Sequence, residues 1–347
     1  MIGDYLGLMD ERDPLYNFLS NEALVGVLGV ECCHPIFDVY RLDQNTTNWS
    51  VYHYAERHTA VHLVGKFYGN KWLDDGEPRS LDIRARLMYR EFDNLCRVRA
   101  MGFDIAPHQV VRPLVCNEMI NCVLLEDYIP GHNLDQYISE AIHCDRGEVL
   151  RDRLKETASF LADLHNRSQT QEPVDAASTL TRLDKIVDRL LVSQIITPDQ
   201  HRRLKHLRDQ WADSHILSQG QQVLIHSDVK PPHFIFNGEY GVTVVDFEHC
   251  RSGDRAEDIG QLVAELKHRF FQGTGDLWAS EAHIEHLYAC YASYVPVVVD
   301  DFRAFTTRGR FYQGYFEARM GQNYHWLDTG YRRRLIEDAE ACLNLQV

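Results

Sequence analysis

The sequence contains no apolar run approaching the roughly 20 residues that a membrane-spanning helix needs. Its opening, Met1-Ile2-Gly3-Asp4-Tyr5, lacks the basic and apolar regions of a secretory signal. Basic residues are scarce: 36 Lys and Arg stand against 51 Asp and Glu, a formal net charge of -15. Such a surface repels nucleic acid and anionic lipid, so neither a nucleic-acid nor a membrane partner is expected. The nine cysteines are scattered, and Cys32 and Cys33 are adjacent instead of spaced as metal ligands. An odd count without a secretory signal reads as reduced thiols in a cytoplasm. Tandem repeats and low-complexity linkers are also missing. What remains is an ordinary globular composition, 44% hydrophobic and 25% charged over 347 residues, enough for two lobes with cores of their own.

The patterning changes character along the chain. A short helix is expected over residues 15–24. Three strand-like runs follow at 35–42, 49–56 and 61–68, rich in Val, Tyr, Phe and His and separated by polar turns. Ser80 stands as the N-cap of a helix reaching Ala100, with Gly102 just beyond it. Ala85, Met88, Phe92 and Leu95 step by three and four and form its buried stripe. Strands near 110–115 and 120–125 would complete a five-stranded sheet, and Pro130-Gly131 then breaks the chain. Beyond that point the pattern is helical, apart from one hairpin. It comprises His233-Phe234-Ile235-Phe236, a turn at Asn237-Gly238, and residues 242–247. The run Arg332-Arg333-Arg334 reads as a solvated helix face.

The chemistry concentrates in Ile225-His226-Ser227-Asp228-Val229-Lys230-Pro231-Pro232-His233-Phe234 and in Val244-Val245-Asp246-Phe247-Glu248. Phosphoryl transfer needs a carboxylate to orient and deprotonate a hydroxyl. It also needs ligands that hold Mg²⁺ against a triphosphate, and a cation for the phosphates that stay behind. Asp228, in a loop after an apolar run, suits the first task. His233 and Asp246, flanking the hairpin, suit the second.

These segments resemble the catalytic pair of kinase-fold enzymes, His-x-Asp followed by Asp-Phe. Gly253-Asp254-Arg255-Ala256-Glu257-Asp258-Ile259 is similar to the Gly-Asp-Pro-x-x-Asp-Leu segment of aminoglycoside phosphotransferases and choline kinases, with Arg255 in place of Pro. Leu124-Leu125-Glu126-Asp127-Tyr128-Ile129-Pro130-Gly131 resembles their lobe-connecting hinge, and Leu161-Ala162-Asp163-Leu164-His165 the end of their central helix. The resemblance implies that Lys66 holds the α- and β-phosphates, that Glu91 pairs with it, and that Glu126 and Tyr128 lie where the hinge backbone meets adenine. Lys230, two residues after Asp228, resembles instead the lysine of serine/threonine protein kinases that meets the γ-phosphate, where aminoglycoside kinases often have His. Two departures stand out. No Gly-x-Gly-x-x-Gly precedes Lys66, so residues 43–48 are the candidate phosphate cover. The first metal position carries His233 instead of Asn, as in macrolide phosphotransferases.

The expected protein has an α+β, two-lobed protein-kinase-like fold. A nucleotide-binding lobe occupies residues 1–125, and a helical catalytic lobe occupies 126–347, with ATP between them. The expected activity moves the γ-phosphoryl group of ATP, with Mg²⁺, to a hydroxyl of a small molecule such as an antibiotic, amino alcohol, sugar or natural product. The alternatives are a pseudokinase-type nucleotide-binding regulator and a protein kinase lacking an activation segment. Against the latter, Gly253-Asp254 follows Asp246 so closely that a peptide-docking segment has no room.

Overall fold

The computed structural model of the chain describes residues 3–42, 50–69, 80–238, 240–296 and 301–344. The candidate phosphate cover at 43–48 lies outside them. The chain divides into two compact units: Met1–His132 with Phe234–His249, and Asn133–His233 with Cys250–Val347.

The first unit is built on an antiparallel sheet of β1 (Asp4–Leu8), β2 (Phe37–Arg41), β3 (Ser50–Glu56), β4 (His62–Phe67), β5 (Pro113–Asn117) and β6 (Val123–Asp127). Their spatial order is β1-β2-β3-β4-β6-β5. The sequence pointed to five strands. β1 escaped because most of its residues are exposed and because it carries Gly7 at φ 123° beside a register shift. The two last strands begin three residues later and end two later than expected, and Val110 belongs to a separate short strand, His108–Val110. Alternation along β4 sends Leu63 and Phe67 to one face, where they pack with Tyr54 and Leu125. A helical segment covers that face: α1 (Pro14–Asn17), capped by Asp13, runs into a π-helix at Phe18–Val27 and contributes Phe18, Leu19 and Leu24. Lys66 points to the opposite face. The helix α2 (Leu81–Ala100) starts after Ser80 as expected and buries Ala85, Met88, Glu91, Leu95 and Val98.

The hairpin of this unit pairs β7 (Phe234–Phe236) with β8 (Val242–Val244), and β8 runs parallel to His108–Val110. Gly131, at φ 140°, sits against β7: a Cβ there would meet the Phe236 carbonyl oxygen at 2.3 Å. The chain can pass that point only as glycine.

The second unit is helical: α3 (Leu134–Cys144), α4 (Gly147–Arg167), α5 (Ala176–Val192), α6 (Pro198–Ser214), α7 (Arg255–Thr274), α8 (Glu281–Tyr294), α9 (Phe302–Asn323) and α10 (Thr329–Leu343). A two-stranded ribbon, Gln222–Ile225 against Arg251–Asp254, leads into the loop that carries Asp228. α7 is buried almost all round from Arg255 to His268, the pattern of a helix at the centre of a core. Its Gly260 lets α9 approach, since a Cβ there would meet the Cβ of Tyr312 at 2.6 Å. Arg332 corrects the reading of its neighbourhood as a solvated face: it is buried and donates Nε–H to the Gly321 carbonyl at 2.7 Å. Among the described residues no helix is long and apolar enough to cross a membrane.

Candidate active site

In the first unit, β4 holds Lys66 opposite Leu124 of β6, and α2 carries Glu91 in its buried stripe. The Lys66 ammonium donates to both carboxylate oxygens of Glu91, at 2.9 and 2.8 Å, and also pairs with Asp246. The Tyr68 hydroxyl donates to Glu91 as well. Lys66 is only 6% exposed and Glu91 fully buried. Either charge alone would be expensive there, by several kcal/mol per ion. Burial by itself would lower the Lys66 pKa, but Asp246, Glu91, Glu248 and Glu126 outweigh it and lift it well above its usual value. The ammonium is fixed as a cation.

Asp246 follows β8 with φ at 68°, a left-handed conformation that side-chain-bearing residues avoid without a compensating constraint. The next residue is anchored by Asn94 of α2, whose Nδ2 donates to the Phe247 carbonyl at 2.9 Å. Glu126 shares the sheet face of Lys66. Burial pushes its carboxyl up to about 7, with Lys66 opposing. Tyr128 stacks on His53, ring centroids 4.1 Å apart. Lys66 thus stands among four carboxyl groups, of which Glu248 also has His249 Nε2 at 3.2 Å.

In the second unit the loop after the strand Gln222–Ile225 is held by the first turns of α7. Asp258 accepts from the backbone N–H of His226 at 2.8 Å and of Ser227 at 2.9 Å. It also meets His165 Nε2 at 3.1 Å, and His165 Nδ1 lies 2.7 Å from the Tyr291 hydroxyl. Burial alone would raise the Asp258 carboxyl, but His165 and the backbone donors hold it below the ordinary value. Gln261 Oε1 accepts from Val229 N–H at 2.9 Å. Ser227, at φ 63°, turns the chain so that Asp228 follows, 3% exposed, with Lys230 Nζ 2.8 Å from its Oδ2.

His233 closes the same loop, with Nδ1 2.9 Å from the Asp228 carbonyl oxygen. A carbonyl only accepts, so Nδ1 carries the hydrogen and the lone pair lies on Nε2. This is the tautomer a metal-ligating histidine adopts when its other nitrogen is held by backbone.

Of the residues singled out in the sequence, the first unit therefore assembles Lys66, Glu91, Glu126 and Asp246. The second assembles Asp228, Lys230 and His233. Sequence reasoning gave no role to Tyr68, Gln261 or Glu265. For the last two a signal existed: Asp258, Gln261 and Glu265 step by three and four and share one face of α7. Burial pushes the Glu265 carboxyl up to about 7, opposed by Lys230 and Arg269, and the Tyr324 hydroxyl lies 3.4 Å from it. Tyr324 in turn stacks on Trp326 at 4.6 Å.

A sheet-borne, helix-paired lysine and an aspartate loop braced from a buried helix define a phosphotransferase of the kinase-like fold. The sequence matches the phosphotransferase enzyme family over residues 82–294, more than half its length, and the chain belongs to that family. Its fold is shared with an ethanolamine kinase of Plasmodium vivax (TM-score 0.57, 12% identity, 89% of this chain and 82% of that one). It is also shared with a macrolide 2'-phosphotransferase of Brachybacterium faecium (0.54, 14%, 97% and 99%). A choline kinase of Streptococcus pneumoniae is similar too (0.53, 14%, 87% and 93%). No curated protein matches the sequence. The two-lobed kinase-like expectation thus holds for fold and family.

Proposed function

We propose that this chain transfers the γ-phosphoryl group of ATP to a hydroxyl of a small molecule that also bears a positive charge. The observation that carries the reading is the Asp228 loop: a nearly buried carboxylate, fixed through Asp258 and Gln261, with Lys230 at its side. A general base must be held within hydrogen-bond reach of its proton, and a loop braced at successive amides supplies that rigidity. Asp228 takes the hydroxyl proton as the acceptor oxygen bonds to the γ-phosphorus. The bond from that phosphorus to the β–γ bridging oxygen breaks, and ADP departs with the electron pair. Lys66, held charged by Glu91, neutralises the phosphates that remain on ADP, and Lys230 the group in flight.

Asp246 and His233 are the proposed Mg²⁺ ligands, one anionic and one presenting an imidazole lone pair. A carboxylate and an imidazole are each donor types that a divalent ion accepts, although Mg²⁺ takes imidazole less readily than oxygen. When bound, the ion supplies charge neutralisation to the triphosphate.

Glu265 supports a cationic acceptor. A carboxyl buried enough to rise to about 7, one helical turn and more beyond the residues that brace Asp228, gains most from a ligand that brings its own positive charge. Tyr324 and Trp326 beside it offer ring faces to an ammonium group. Ethanolamine and choline, which name two kinases of similar fold, each combine a hydroxyl with a positively charged nitrogen, and this chain is proposed to act on an acceptor of that kind. ADP release measured against a panel of amino alcohols, aminoglycosides, macrolides and neutral polyols tests it. The expected outcome is a kcat/KM at least tenfold higher for the best cationic acceptor than for any neutral one. A neutral sugar as best substrate would remove Glu265 from acceptor recognition.

A further inference from the structure

Away from the proposed active site, α9 and α10 bring Glu317, Asp338 and Cys342 together. One ligand atom from each, two carboxylate oxygens and the Cys342 sulfur, lies within 4.8 Å of the other two. Asp338 and Cys342 stand four residues apart on α10 and so share a face, the spacing that lets one helix offer two ligands to one ion. Glu317 is 1% exposed. Its Oε1 accepts from Gln313 Nε2 at 2.9 Å, while its buried Oε2 meets no N–H donor among the described residues and the Asp338 carboxyl stands close enough to share a proton with Glu317. Two carboxyl groups and a thiol have therefore been gathered beside the buried Lys267, whose Nζ lies 2.7 Å from Asp338 Oδ2, with the exposed Arg310 acting on the Cys342 thiol from farther out.

We propose that Glu317, Asp338 and Cys342 form a binding site for a thiophilic divalent cation of the zinc type, which pins α9 to α10. Charge counting supports a dication. With both carboxylates and the thiolate ionised, the three ligands carry three negative charges; Lys267 offsets one, and two remain. Binding displaces one proton from the Glu317 carboxyl and one from the Cys342 thiol, so the total charge of the core is unchanged. Ligand type selects the ion: thiolate favours zinc-like metals, whereas Mg²⁺ and Ca²⁺ require more oxygen ligands than this site holds. Geometry agrees. Bonds of about 2.0–2.3 Å in a tetrahedral site place ligand atoms about 3.3–3.7 Å apart, a closing that side-chain rotation provides. A water completes the set, since Asp338 keeps part of its side chain exposed.

The test uses the full chain after chelation, titrated with Co²⁺ and Zn²⁺ alone. One equivalent of Co²⁺ should bind with a thiolate-to-metal charge-transfer absorption, and Zn²⁺ should abolish that absorption and raise the melting temperature. Cys342→Ser should abolish the absorption, and Glu317→Gln should weaken Co²⁺ binding at least tenfold. Cys290→Ser and Asp246→Ala should leave the absorption in place. Should Cys342→Ser fail to fold, Glu317→Gln carries the same comparison, because it preserves shape and removes only the charge. A folded wild type with no thiolate absorption, or an absorption that survives Cys342→Ser, overturns the site.

Discussion

The Asp258 carboxylate accepts the backbone N–H of Ser227 at 2.9 Å, with the His226 N–H on its other oxygen at 2.8 Å. A helix residue thereby fixes the loop that presents Asp228. Asn at this position offers one acceptor oxygen and turns an amide donor toward the second N–H. Asp258→Asn should therefore lower kcat by roughly 10- to 100-fold through misplacement of the loop, and cost about 1–3 kcal/mol of stability. Kinetics and urea unfolding on one preparation check both effects, and an unchanged kcat would detach the brace from catalysis.

Much of this arrangement could be read from the chain, for identifiable reasons. The hairpin and its flanking acids are local, so Asp228, His233 and Asp246 announced themselves by spacing. Lys66 and Glu91 were legible through the resemblance to kinase-fold enzymes; the helical period alone had put Phe92 in the buried stripe, where the structure buries Glu91. Asp258 was visible as part of a motif, but its role was not, because that role depends on α7 meeting the loop 30 residues before it. Arg332 was misread for a similar cause: its burial comes from α9, and nothing in a run of three arginines signals a carbonyl partner such as Gly321. Strand β1 failed on propensity, being exposed and broken by glycine.

Glu265 links stability and acceptor binding to pH. Its folded-state value lies near 7 against 4.5 in the unfolded chain. Below about pH 4.5 both states hold the proton and the group contributes no difference. Between about 4.5 and 7 the unfolded chain ionises first, so stability falls across that window by roughly 3–4 kcal/mol, and above it the cost is constant. Glu265→Gln should abolish this component, which chemical denaturation at pH 5 and pH 8 would reveal as a gain confined to the higher pH. In the wild type, KM for a quaternary-ammonium acceptor should fall as pH rises from 6 to 8, and the variant should lose that slope. Parallel profiles would exclude Glu265 from the acceptor site.

His233 carries its hydrogen on Nδ1 and directs it to the Asp228 carbonyl. His233→Asn supplies an oxygen ligand and should stay active. His233→Ala should need at least about tenfold more Mg²⁺ for half-maximal rate, in the range that loss of one metal partner produces. Titrating Mg²⁺ against initial velocity decides it, and identical requirements for wild type and His233→Ala would assign His233 to the fold alone.

The most direct test of the account is Asp228→Asn, assayed for phosphoryl transfer and for nucleotide affinity together. The substitution keeps the shape of the side chain and the bracing by Asp258 and Gln261, and removes the carboxylate that takes the acceptor proton. The account predicts that kcat falls by about 10²–10⁴-fold while ATP affinity changes no more than a few-fold. Near-native turnover with the true acceptor would contradict it.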